Sequence, residues 1–165
     1  MLLYLFRHGI AIDREDPECP PDPRRFLTRK GVEKTRGAAQ GLAALGIEPE
    51  LIVSSPYVRA AQTAEIAAEA LKYPHARIRQ SDALLPSADP AHVLRELSRL
   101  RVKEVLCAGH APNLDEVIAC AVGASAVITS LKKAGAACLE MDSFSPGQGT
   151  LIWLHTPRSL RLLAG

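Results

Sequence analysis

Leu2-Leu3-Tyr4-Leu5-Phe6-Arg7-His8-Gly9 is the stretch that decides how this chain is read. Its five apolar residues, too few for a helix and stopped by Gly9, predict a buried central strand. Such a strand delivers Arg7 and His8 to its carboxyl end, where open α/β sheets keep their sites. Arginine offers a rigid fork of donors, and a neutral imidazole is a nucleophile near pH 7, so the pair suits phosphate chemistry. The competing reading is a strand that ends in two polar residues because water begins there, and the rest of the chain has to separate the two.

The same strand–turn–helix device recurs twice. Leu51 to Ser54 is an apolar run between Pro49 and Pro56, and Ser55-Pro56 opens a helix from Tyr57 to about Leu71. Arg59 falls in the first turn of that helix, where a cation opposes the helix dipole and calls for a nearby anion. Glu104 to Gly109 is a further apolar strand, ending in Gly109-His110 and followed by a helix from about Leu114 to Val122. Two arginines and two histidines should therefore share one sheet edge, an arrangement matched to a phosphoryl group.

Around these segments, Thr28 caps a helix stopped at Gly46, Asp89 caps a helix to about Leu100, and Ala76 to Gln80 reads as a short strand. Asp13 to Arg25, with four prolines, reads as a loop over the site, and Asp13, Arg14, Arg24 and Arg25 as solvated loop charge. Lys132 and Lys133 read as a turn. Ala136 to Met141 and Thr150 to His155 form an antiparallel hairpin, and Arg158 and Arg161 lie in a ragged C-terminus. The predicted fold is α/β: a three-layer sandwich with a mostly parallel central sheet, an antiparallel edge hairpin and helices on both faces. It forms one domain over residues 1–165, with no cap insertion.

Bulk properties narrow the function classes. The chain has 165 residues, 47% of them apolar, and a mean hydropathy of +0.03, as for a globular domain. A net charge of +2 without a basic stripe argues against nucleic acid. No apolar run approaches a membrane span, and the N-terminal strand is too short and wrongly flanked for a signal peptide. Cys19, Cys107, Cys120 and Cys138 lack C-x-x-C spacing, so no metal is expected, and they read as reduced thiols of a cytoplasmic protein.

Arg7-His8-Gly9, Ser54-Ser55-Pro56 with Arg59-Ala60 and Thr63-Ala64, and Gly109-His110 resemble the signature of the histidine phosphatase superfamily. Arg25-Phe26-Leu27-Thr28 with Gly31, His110-Ala111-Pro112-Asn113-Leu114, and Leu131-Lys132-Lys133 with Gly135 are most similar to its small SixA-type phosphohistidine phosphatases. So are Trp153-Leu154 and Pro157-Arg158, and the ordered set spans nearly the whole chain. The resemblance implies a covalent phosphohistidine on His8, with Arg7, Arg59 and His110 holding the phosphoryl oxygens and no cofactor. It also implies substrate contacts from Gly9, Arg25 and Asn113, with phosphate as product.

The departures from the wider superfamily are as informative. Where its acid-phosphatase branch has an Asp after the second histidine, this chain has Ala111. Where its mutase branch has a Glu, the chain reads Leu84-Leu85-Pro86-Ser87. Asp82 reads as loop surface and Asp89 as a helix cap. Losing a positioned acid costs an alkoxide leaving group about 10²–10⁴ in rate. An imidazole leaving group, with a reference pKa of about 6.5, depends on that acid far less. The expected substrate is thus a phosphohistidine on a phosphorelay or phosphotransfer protein. The alternatives are a small-molecule phosphomonoester phosphatase, for which Asp82 or Asp89 must reach the leaving group, and a non-catalytic phosphate- or phosphoprotein-binding module.

Overall fold

The computed structural model describes residues 1–165. Pleating along β1 (Leu2–Arg7) sends Leu3 and Leu5 into one core and Tyr4 and Phe6 into the other. Both faces being covered explains why the strand reads as an unbroken apolar run. β1 is paired on both sides, parallel with β4 (Glu104–Gly109) and antiparallel with β5 (Ala136–Met141). β4 pairs in parallel with β2 (Leu51–Ser54), β2 with the two-residue β3 (Arg79–Gln80), and β5 antiparallel with β6 (Gly149–His155). The sheet order is β3-β2-β4-β1-β5-β6. Four strands are mutually parallel, and the edge hairpin runs as the sequence predicts.

Helices cover both faces. α1 (Arg29–Ala44), α2 (Val58–Ala70) and α5 (Pro157–Leu163) contribute Leu42, Ala64, Ala68 and Leu160 to the core around Tyr4 and Phe6. α3 (Pro90–Ser98) and α4 (Asn113–Val122) contribute Val93, Leu97, Val117 and Ile118 to the core around Leu3 and Leu5. The predicted caps form: Thr28 Oγ1 accepts from the Gly31 amide at 3.0 Å and Asp89 Oδ1 from the Ala91 amide at 2.9 Å. No helix is long and apolar enough to cross a membrane.

Four local expectations are corrected. Pro56 lies in the turn ahead of α2, because the Tyr57 amide first bonds to Ser55 Oγ. The Ala76 to Gln80 stretch divides into a 3₁₀ turn at His75–Arg77 and β3. The Asp13 to Arg25 loop contains a 3₁₀ turn at Asp22–Arg24. The tail is not ragged: Thr156 caps α5, whose Leu160 is fully buried against α1. Gly41 permits this, since a Cβ there would stand 2.1 Å from the Leu160 carbonyl oxygen.

Candidate active site

The pairings Arg7↔Gly109 and Ser54↔Ala108 align the carboxyl ends of β1, β4 and β2 at one edge of the sheet. Arg7 and His8 leave β1 there, His110 leaves β4, and Arg59 enters from the first turn of α2, below the end of β2. All four, with Arg25, line one open cleft of about 480 Å³.

His8 is buried, and its Nδ1 lies 2.7 Å from the Gly9 carbonyl oxygen, which only accepts. Nδ1 therefore carries the proton and Nε2 the lone pair. Arg59 Nε donates to that Nε2 at 3.3 Å. Gly9 is packing rather than lining: its amide donates to Thr63 Oγ1 at 3.2 Å, and a Cβ would fall 2.1 Å from Thr35 Oγ1. Thr63 Oγ1 in turn donates to the Arg59 carbonyl at 2.8 Å, tying the nucleophile's loop to α2.

The His110 ring centroid is 5.1 Å from that of His8, and its Nε2 is 2.8 Å from Ser55 Oγ. Ser55 Oγ accepts from the Tyr57 amide, and its hydroxyl proton meets no acceptor except His110 Nε2; donated there, it places the imidazole proton on Nδ1. That Nδ1, like Arg7 Nε, is buried without a partner in the protein. Unpaired buried donors are costly, and an anion in the cleft would satisfy both. Burial lowers both imidazoles, to pKa values of about 3. For His8 the Gly9 hydrogen bond opposes this, while His110 and the two arginines reinforce it; for His110 the Arg59 charge reinforces it. Both rings are neutral at pH 7.

Arg7 Nη1 donates to the Leu131 carbonyl at 2.5 Å. Asp115, buried in the first turn of α4, holds that segment by accepting from Thr129 Oγ1 at 2.7 Å and the Leu131 amide at 2.9 Å. Sequence reasoning missed Asp115, whose only signal is an acidic residue in a helix first turn. Lys133, expected to solvate a turn, lines the cleft.

The Asp13 to Arg25 loop folds back over the site because the Ile12 amide bonds to the Phe26 carbonyl and the Thr28 amide to the Ile10 carbonyl, both at 2.9 Å. Asp13, Arg14 and Arg25 line the cleft; Arg24 does not. Sequence reasoning also missed Asp22, which meets Arg14, Arg25 and Arg59 at 3.2, 3.1 and 3.3 Å. Burial raises its pKa, but the hydrogen bonds and charges of Arg25, Arg59 and Arg14 outweigh this and hold the carboxyl below its usual value.

Asn113 does not reach the cleft; its Nδ2 donates to the Ala88 carbonyl at 3.0 Å and ties down the loop before α3. Asp82 and Asp89 also lie off the cleft, with Asp89 engaged by Arg95 at 2.8 Å. No group of three His, Cys, Asp or Glu side chains is placed to hold a metal ion.

A parallel-sheet edge that gathers two arginines and two neutral histidines defines a phosphoryl-handling enzyme, and comparison with known proteins makes the class specific. The family model of the histidine phosphatase superfamily (branch 1) matches residues 3–84. The chain is 39% identical over 167 residues to an uncharacterized protein of Picosynechococcus, covering 99% of this chain and 95% of the relative. It is 27% identical over 171 residues to the phosphohistidine phosphatase SixA of Escherichia coli, covering 98% of each. The solved structure of the protein histidine phosphatase SixA complexed with tungstate matches it with a TM-score of 0.85 and 27% identity, over 97% of this chain and 99% of that one. The chain belongs to the histidine phosphatase superfamily and is a phosphatase. Within the superfamily it is of the SixA type.

Proposed function

We propose that this protein is a phosphohistidine phosphatase acting on a phosphorelay or phosphotransfer protein in the cytoplasm, as a single domain without a cap. His8 Nε2 attacks phosphorus, forming a nitrogen–phosphorus bond as the bond to the substrate imidazole breaks and that imidazole leaves with the bonding pair. Arg7, Arg59 and the Nδ1 proton of His110 hold the phosphoryl oxygens, where negative charge develops. Water then attacks phosphorus, giving phosphate and returning the lone pair to His8. Arg25 contributes at the rim.

The observation that carries this reading is the state of the carboxylates around the cleft, above all of Asp22, which pairs with Arg59. Of the carboxylates that line the cleft, Asp22 is held ionised by three arginines and Asp13 and Glu15 are exposed on the loop, with no burial to hold them protonated; Asp82 and Asp89 lie off the cleft. None is a protonated acid poised for an alkoxide. Transfer between two imidazoles needs no such acid, because donor and acceptor nitrogens have like basicity. The openness of the cleft agrees with a phosphohistidine presented on another protein's surface. A panel of phosphohistidine protein, phosphoserine peptide and sugar phosphates tests the reading. Phosphohistidine is expected to be strongly preferred, His8→Ala to abolish turnover, and acid quench to trap an acid-labile phosphoryl group on His8. Equal rates on sugar phosphate would move the assignment to a phosphomonoesterase, and phosphate affinity without turnover would reduce the protein to a binding module.

A further inference from the structure

We propose that Asp22 is a specificity-determining residue: an internal anion that competes with the substrate for Arg59 and biases the site towards leaving groups that carry a proton or positive charge.

Arg59 is almost completely buried, and all three of its nitrogens are engaged in the empty site. Nε donates to the lone pair of His8 Nε2 at 3.3 Å, Nη1 to the Asp22 carbonyl at 2.7 Å, and Nη2 to Asp22 Oδ2 at 3.3 Å. A guanidinium can grip a phosphoryl group only with donors that face it. Three of its five N–H donors are thus taken, and the second N–H of Nη2 stays available beside Nε; substrate draws Nε off the nucleophile and shares the Nη2 side with the Asp22 carboxylate, whose negative charge opposes the incoming anion.

Asp22 stays close whether or not it keeps Arg59. Its Oδ1 also accepts from Arg25 Nη1 at 3.1 Å and Arg14 Nη2 at 3.2 Å. Arg25 is pinned by two bonds to the Ile12 carbonyl, from Nε at 3.1 Å and Nη2 at 2.7 Å. The 3₁₀ turn at Asp22–Arg24 fixes the backbone beneath it. The bound phosphoryl group thus meets a fixed negative charge on the loop side of the cleft. That charge disfavours a leaving group bearing a carboxylate and favours one whose nitrogen arrives protonated, for which Oδ2 is a ready acceptor.

The substrate half of this inference rests on the phosphohistidine reading, and the experiment separates the two. Asp22→Asn removes the charge and keeps an acceptor; Asp22→Glu keeps the charge. In Asp22→Asn, inorganic phosphate measured by calorimetry is expected to bind about tenfold more tightly, as for loss of one adjacent like charge. The ratio of kcat/KM for a phosphohistidine peptide over phosphoglycolate, whose leaving group carries a carboxylate, is expected to fall by about the same factor. Asp22→Glu is expected to restore both. Unchanged or weaker phosphate binding in Asp22→Asn overturns the inference, as does an equal loss on every substrate, which a merely structural role produces. If the wild-type protein fails to turn over phosphohistidine while Asp22→Asn still binds phosphate more tightly, the substrate reading fails and the competition by Asp22 stands.

Discussion

At the scale of residues, the site works through second partners as much as through the four groups at its centre. Arg7 owes its position to Leu131, and Leu131 owes its position to the buried Asp115 carboxylate. Asp115→Ala leaves the Leu131 amide unpaired and frees the segment that fixes the guanidinium. It is expected to lower kcat/KM by about ten- to 100-fold, since small misplacements of a positioning group cost that much. The split matters: phosphate affinity should fall with kcat/KM, whereas loss of stability alone would move the unfolding midpoint and leave phosphate affinity of the folded fraction intact. Arg7, His8, Arg59 and His110 were legible in the sequence because each sits at the end of an apolar strand or the start of a helix. Asp22 and Asp115 were not, because an aspartate in a proline-rich loop or in a helix first turn already has an ordinary explanation. Their roles arise only when residues 37 and 16 positions away in the chain come alongside.

At the scale of elements, legibility followed length and burial. β1, β2 and β4 are continuous apolar runs with both faces covered, so composition alone located them. β3 has two exposed residues and no apolar signature, and its existence depends on the backbone of β2 beside it. α5 was missed although Thr156-Pro157 is a good helix start, because a short charged tail gives no periodicity to count. Its one buried residue is Leu160, inaccessible to solvent and seated where Gly41 lets two helix backbones approach. Leu160→Ala is expected to destabilise the protein by about 2–5 kcal/mol in urea unfolding. A cost below about 1 kcal/mol would mean that α5 frays rather than docks.

At the scale of the whole molecule, burying a nucleophilic histidine and its neighbour beside the arginines of an open cleft makes stability depend on pH. The folded chain keeps His8 and His110 neutral down to about pH 3, whereas the unfolded chain protonates them near the reference value of about 6.5. Between these values the unfolded state binds more protons, so stability falls as the pH falls through that window. Asp22, whose folded carboxyl is held below its usual value, adds a loss only at the acid end, below about pH 4. The histidine contribution can therefore be isolated by comparing pH 7 with pH 5. Each histidine is expected to account for on the order of 1–2 kcal/mol of the stability lost over that interval. The double variant His8→Gln, His110→Gln should lose correspondingly less in urea unfolding at the two pH values. An identical loss in both proteins would mean that the imidazoles titrate normally in the folded chain and that the cleft does not hold its nucleophile neutral by burial. Phosphate should act in the opposite sense on the wild type, since an anion between the two rings favours their protonated forms and raises their folded pKa values. Saturating phosphate is thus expected to flatten the acid loss of the wild type and to have little effect on the double variant.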